Sequence, residues 1–145
     1  MADVKLLDCT LRDGGYINDW HWGLGSARRI IQSLTRAGTD IVEVGFLRNV
    51  DGYDPDVTVC NTIEELNRLL PPESQRGHTI YSGMAMRSNY DISKLSPYDG
   101  HGIEVIRITA HASNNKIAAF QQRKPRRHAP CPLFRLFVVH ALRHI

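Results

Sequence analysis

Eight consecutive residues, Asp8-Cys9-Thr10-Leu11-Arg12-Asp13-Gly14-Gly15, concentrate reactive groups directly after a mainly apolar run at residues 4–7. Asp13 offers two oxygens to a divalent cation, and hard ions such as Mg2+ or Mn2+ favour oxygen donors. Arg12 supplies a permanent, planar cation suited to an enolate oxygen or a carboxylate. Gly14 and Gly15 keep side chains clear, so a small ligand can approach the backbone. Further along, Glu43 stands in the middle of the β-branched segment Asp40-Ile41-Val42-Glu43-Val44-Gly45-Phe46. A carboxylate aimed into a sheet interior needs a partner, and Arg12 is the candidate. From spacing alone two readings stand: one corner of an active site, or a structural Arg–carboxylate cluster closing the end of a sheet.

Other clusters carry less. Tyr16, Trp20, His21 and Trp22 either line a pocket or cover the sheet end. Asp51, Asp54 and Asp56 lack the glycine and closing glutamate of an EF-hand and read as a solvated loop. Arg123-Lys124-Pro125-Arg126-Arg127 reads as a solvated basic run, with nucleic-acid contact the lesser reading.

The elements that must hold these residues alternate between strand and helix. Residues 4–8 read as a short buried strand and residues 9–23 as a loop. Ala27, Ile30, Ile31 and Leu34 form one stripe of a helix over 24–37, stopped by Gly38. A second strand spans 40–46, followed by a loop to residue 59 and a helix over 62–70 that Pro71-Pro72 ends. A third strand is expected at 79–84, a short helical turn at 91–95 and a fourth strand at 103–109. Such alternation predicts βαβ units, a parallel sheet and right-handed crossovers. No G-x-G-x-x-G follows the first strand and no P-loop is present, which removes the two commonest nucleotide-binding arrangements. Beyond His111 the pattern fades into a basic cluster, Pro130 and Pro132, and an interrupted apolar run, with a local helix expected over 134–142.

The net charge of +3 conceals a break. Residues 1–104 hold all 15 acidic residues against 10 Lys and Arg, whereas residues 105–145 hold 8 Lys and Arg and no acid. At 145 residues the chain suits one ordinary domain. It is short of the roughly 250 residues of a complete (β/α)8 barrel. Cys9, Cys60 and Cys131 are scattered and odd in number, which argues against a disulfide framework and suits a reducing compartment. Met1-Ala2-Asp3-Val4-Lys5 lacks the basic start and apolar stretch of a secretory signal, and no segment nears the ~20 apolar residues of a membrane span. The expected location is the cytoplasm.

The opening motif resembles the D-x-T-L-R-D-G signature of the DRE-TIM metallolyases, also called the HMGL-like or pyruvate carboxyltransferase domain. Residues 6–23 look most like its 4-hydroxy-2-oxovalerate aldolase-like branch. Residues 40–46 match the family's second strand with its glutamate, and residues 103–111 look like the fourth, so the resemblance covers residues 4–111. It implies a TIM barrel that cleaves or forms carbon–carbon bonds beside a carbonyl. It also implies that Asp13 binds a divalent metal (Mn2+ or Mg2+), that Arg12 steadies the enolate of a 2-oxo acid, and that Glu43 holds Arg12 or orders the metal's surroundings. Metal and guanidinium would then neutralise charge that appears only as the bond breaks.

Two features depart from that pattern. The aldolases carry a histidine soon after the motif as proton shuttle, and the Claisen-type members carry Glu-Gln after the first glycine, where this chain has Gly15 and Tyr16. Tyr16 and His21 are the remaining acid–base candidates, and a tyrosine with a pKa near 10 is a poor base at neutral pH. The family's other metal ligands form a His-x-His pair on the seventh strand, and His111, His128, His140 and His144 include no such pair. With Asp13 alone a cation would be weakly held.

The expected fold is therefore α/β, the N-terminal half of a (β/α)8 barrel with about four βα units over residues 1–111. An irregular basic tail over 112–145 follows, as in a truncated or frame-shifted copy. The expected function is a divalent-metal-dependent aldolase or lyase acting on a small 2-oxo acid or aldehyde. The alternative is an inactive remnant or interaction module lacking the His-x-His ligands. Strand edges at 4–8 and 103–109 are expected to be exposed and to favour self-association.

Overall fold

The computed structural model describes residues 4–110 and the backbone of the strand at 135–140. In chain order the elements are β1 (Leu7–Asp8), α1 (Thr10–Asp13), α2 (Gly15–Asn18), α3 (Leu24–Arg36), β2 (Ile41–Leu47), β3 (Val59–Cys60), α4 (Ile63–Asn67), β4 (Ile80–Met86), β5 (Val105–Ala110) and β6 (Arg135–His140). Single 3-10 turns lie at Glu73–Gln75 and Ile92–Lys94. All strands pair in parallel, in the order β1-β2-β4-β5-β6, with β3 beside the end of β2. Among the described residues no helix is long and apolar enough to cross a membrane.

The two faces of the sheet have different work. One is covered by α3 and α4, with Ala27, Ile31, Leu66 and Leu69 packed against Val42, Val44 and Leu47. Thr35 of α3 also bonds the Tyr81 hydroxyl at 2.8 Å, which satisfies a buried polar tip. The other face carries Glu43, Phe46 and Met84. In a regular strand Glu43 and Phe46, three residues apart, would point to opposite faces. A bulge between Glu43 and Gly45 breaks the alternation, so that Glu43 pairs with Ser82 and Phe46 with Met84.

Several expectations change. The buried strand over 4–8 is only two paired residues, with Val4 88%, Leu6 64% and Leu7 38% exposed. The Leu6 N–H goes to the Asp40 carboxylate at 2.9 Å instead of to a neighbouring strand. Residues 9–23 contain two one-turn helices rather than a plain loop. α4 begins as expected, with a Thr62–Glu65 capping box. It ends at Asn67 because Leu69 and Leu70 bond three residues back, to the Leu66 and Asn67 carbonyls, which tightens the chain before the prolines. The helix expected over 134–142 is instead β6, paired along six residues with β5. That pairing covers the β5 edge expected to be open. The rest of the 112–145 tail, including the basic cluster at 123–127, lies outside the described residues.

Leu66 of α4 packs onto Gly45 and Gly83, which are register partners. A Cβ on Gly45 would collide with the Thr58 carbonyl, which is backbone, whereas one on Gly83 meets the Leu66 Cδ1 methyl at 2.9 Å. Gly45→Ala is therefore expected to destabilise by about 1–3 kcal/mol and Gly83→Ala by clearly less, because only a side chain must shift. Urea unfolding of both variants checks this, and equal losses would contradict it.

Candidate functional site

Glu43 has no solvent exposure, so its charge must be met by hydrogen-bond donors. It is met by two guanidiniums. Arg12 Nε donates to Oε1 at 2.8 Å. Arg107 Nη2 donates to the same oxygen at 2.6 Å and its Nε to Oε2 at 2.7 Å. Arg107 Nη2 also lies 3.5 Å from Met84 Sδ. The hydrogen bond to Glu43, ahead of any other influence, shifts the Arg107 pKa further up and fixes its charge. Buried Arg12 and half-buried Arg107 share Glu43, and Asp13 supplies the second carboxylate beside Arg12, so the cluster pairs two cations with two anions. Among the described residues Arg12 Nη2 and Arg107 Nη1 have no protein partner, which leaves N–H donors for an anionic oxygen.

Arg12 reaches Glu43 because α1 is pinned from outside. β1 ends opposite Val42, one residue short of Glu43 in register, and the chain then turns into α1. A one-turn helix leaves its last carbonyls without helical partners. Here Trp20 Nε1 donates to the Arg12 carbonyl at 2.8 Å, and Trp22 Nε1 to the Leu11 carbonyl at 3.1 Å. Trp20 itself is buried against Phe46 and Met84, with ring centroids 5.8 Å apart for Trp20 and Phe46. The Arg48 guanidinium sits over both rings, 5.7 and 5.4 Å from their centroids. Gly15 lies directly beneath the Trp20 indole, where any Cβ would overlap the ring. The glycine pair of the motif thus serves indole packing, at least at its second position.

Asp13 lies beside Arg12, ion-paired to its Nη1, with its side chain 52% exposed. Its other oxygen accepts from Cys9 Sγ at 3.0 Å. Burial, then the hydrogen bond and charge of Asp13, push the Cys9 thiol up to about 11, so it stays protonated at neutral pH. Asp13 has the oxygens a hard cation takes. Among the described residues, however, no three His, Cys, Asp or Glu side chains come together as a cation site.

The structure thus brings Arg12, Asp13 and Glu43 together. Tyr16 is exposed on α2 and meets only the edge of Trp20, at 4.8 Å between centroids. The His21 ring bonds the Asn18 carbonyl at 3.3 Å, and its backbone bridges to Val57. Neither side chain bonds Arg12, Asp13 or Glu43. Sequence reasoning missed Arg107, although a lone charge inside Val105-Ile106-Arg107-Ile108 was a signal of a buried counter-ion. Ser82 is also new: it is the register partner of Glu43, 1% exposed, and its hydroxyl has no partner among the described residues. No protein-family model matches this chain, and no curated protein matches it.

Two outcomes follow from this geometry. Glu43→Ala strands the buried Arg12 and half-buried Arg107 guanidiniums and is expected to cost about 3–5 kcal/mol, while Arg107→Ala costs less because Arg12 still pairs with Glu43. In a double-mutant cycle, Arg12→Ala with Glu43→Ala is expected to fall well short of the sum of the single losses. Additive losses in chemical denaturation would contradict the pairing. In chelator-treated protein, peptide-resolved alkylation of Cys9 is expected to stay slow at pH 8 and to rise as pH approaches about 11. Asp13→Asn is expected to bring that rise to lower pH, since both the hydrogen bond and the charge of Asp13 hold the proton on sulfur.

Proposed function

We propose that this chain is an aldolase- or lyase-type domain of the DRE-TIM metallolyase kind, acting on a 2-oxo acid, with its described strands forming part of a (β/α)8 barrel. The observation that carries this reading is Arg12: buried at 9% exposure, held through Nε by Glu43, set beside Asp13 and retaining an unpaired Nη2. The parallel strands, paired largely in chain order, supply the matching scaffold.

The chemistry requires such a cation. When the C3–C4 bond of a 4-hydroxy-2-oxo acid breaks, a base takes the C4 hydroxyl proton and an aldehyde leaves. The bonding pair moves onto the pyruvyl fragment as an enolate, with charge on the former carbonyl oxygen, and protonation at C3 then gives pyruvate. Arg12 would donate to the enolate oxygen and Arg107 to the substrate carboxylate, both held in advance by Glu43 so that little reorganisation accompanies the charge. Tyr16 and His21 are the proposed carriers of the proton. The Mn2+ or Mg2+ dependence that belongs to this reading rests, among the described residues, on Asp13.

A second reading, an inactive remnant or interaction module, is favoured by one observation: Asp13 has no other ligand-type oxygen or imidazole gathered around it among the described residues. The exposed apolar residues Val4, Leu6 and Leu7 at the β1 edge would be the surface for self-association. A cytoplasmic location accompanies either reading, in keeping with the free thiols Cys9 and Cys60.

Pyruvate release from 4-hydroxy-2-oxopentanoate by the full chain, with added Mn2+ or Mg2+, separates the two. The enzyme reading expects metal-dependent turnover that falls by about 10²–10³-fold in Arg12→Ala. Turnover that survives both chelation and Arg12→Ala would contradict it. No turnover from folded protein selects the remnant.

A further inference from the structure

A groove of about 560 Å3 lies between α3 and the segment after α4, and it shares no residue with the Glu43 cluster. Four arginines line it, Arg28 and Arg29 from α3 with Arg68 and Arg76 opposite, over the apolar side chains of Leu69 and Leu70. One carboxylate contacts this set: Glu73 lies 3.9 Å from Arg76 and is itself bonded to His101 at 2.8 Å. Among the described residues Arg28, Arg29 and Arg68 have no carboxylate partner.

Neutral groups hold these guanidiniums in place. Arg28 Nε and Nη2 both donate to the Arg68 carbonyl, at 3.0 and 2.7 Å. Arg76 Nε donates to the Pro71 carbonyl at 2.9 Å, and its guanidinium lies 5.8 Å from the Tyr81 ring centroid. Arg68 lies 4.5 Å from the Tyr53 ring centroid, and Arg29 Nη2 donates to Ser26 Oγ at 3.2 Å. Carbonyls, a hydroxyl and aromatic faces orient a guanidinium without cancelling its charge. The remaining N–H donors are therefore oriented, and among the described residues only Arg76 of the four has a carboxylate beside it.

We propose that this groove binds a small molecule bearing an oligophosphate. Guanidinium forks match phosphate oxygens in pairs, and several cations around one cavity suit one ligand with several negative charges. The volume falls within the usual range for small-molecule sites. No acidic residue follows Glu104, so residues 105–145 carry no carboxylate side chain that could fill the groove. This inference is independent of the reaction proposed for the Arg12 site.

Calorimetric titration of inorganic tripolyphosphate into the full chain at low salt tests it. Binding of one anion per chain is expected, weakened at least ~tenfold by Arg28→Gln with Arg68→Gln. Arg29→Gln, which among the described residues removes only a hydrogen bond to Ser26, is expected to weaken binding too and gives a readout should the double variant fail to fold. Arg36→Gln on the same helix outside the groove, and Arg126→Gln with Arg127→Gln in the tail, are expected to leave the affinity unchanged. Absence of binding overturns the proposal. So does equal weakening by the Arg36 variant, or loss in the tail variant with retention in the groove variants.

Discussion

A carboxylate with no solvent contact is tenable only while donors surround it, and Glu43 draws those donors from two distant parts of the chain. Arg12 comes from the turn after β1 and Arg107 from the middle of β5, separated from Glu43 by 31 and 64 positions. Their shared oxygen, Oε1, ties the segment after β1 to β5, across β2 and β4. Either guanidinium could stay hydrated if the chain unfolded. Neither can be moved in the folded state without leaving charge buried, so the positions of α1 and β5 on this face are mutually dependent.

The rest of the N-terminal segment follows from that constraint. β1 pairs only two residues, too few to fix the orientation of what comes next, so two tryptophans and Thr58 take the carbonyls that α1 leaves free. The bulge in β2 then aligns Phe46 with Met84 on the same face as Glu43, giving Trp20 an apolar seat beside the ion cluster. The helical face of the sheet carries ordinary hydrophobic packing. The opposite face carries the charges, the Ser82 hydroxyl and the guanidinium donors that have no partner among the described residues.

Much of this was legible in the sequence, and the limits have physical causes. The α3 stripe was readable from its helical period and the β2 segment from its β-branched run, and the Arg12–Glu43 pair because a carboxylate inside such a run demands a cation. The bulge was not readable, since Val44 and Gly45 fit a regular strand equally well. Arg107 was missed because a cation in a strand names no partner until register is known. The β1 segment looked buried from its apolar residues, yet its edge position leaves them exposed. Residues 134–142 carry apolar residues with Arg135 and His140 interposed, a pattern that fits a short helix or a strand, and pairing with β5 decided between them.

In the proposed reading Glu43 holds Arg12 and Arg107 so that the donors left without a partner among the described residues face a small planar anion. Calorimetric titration of oxalate, a planar dianion with the oxygen spacing of a 2-oxo acid enolate, tests this most directly when run on the full chain, on Arg12→Lys and on Glu43→Gln. The expected result is one oxalate per wild-type chain, with affinity lowered at least ~tenfold in folded Arg12→Lys, which keeps the charge but loses the fork, and lowered also in Glu43→Gln. Oxalate affinity that is the same in all three proteins would contradict the account.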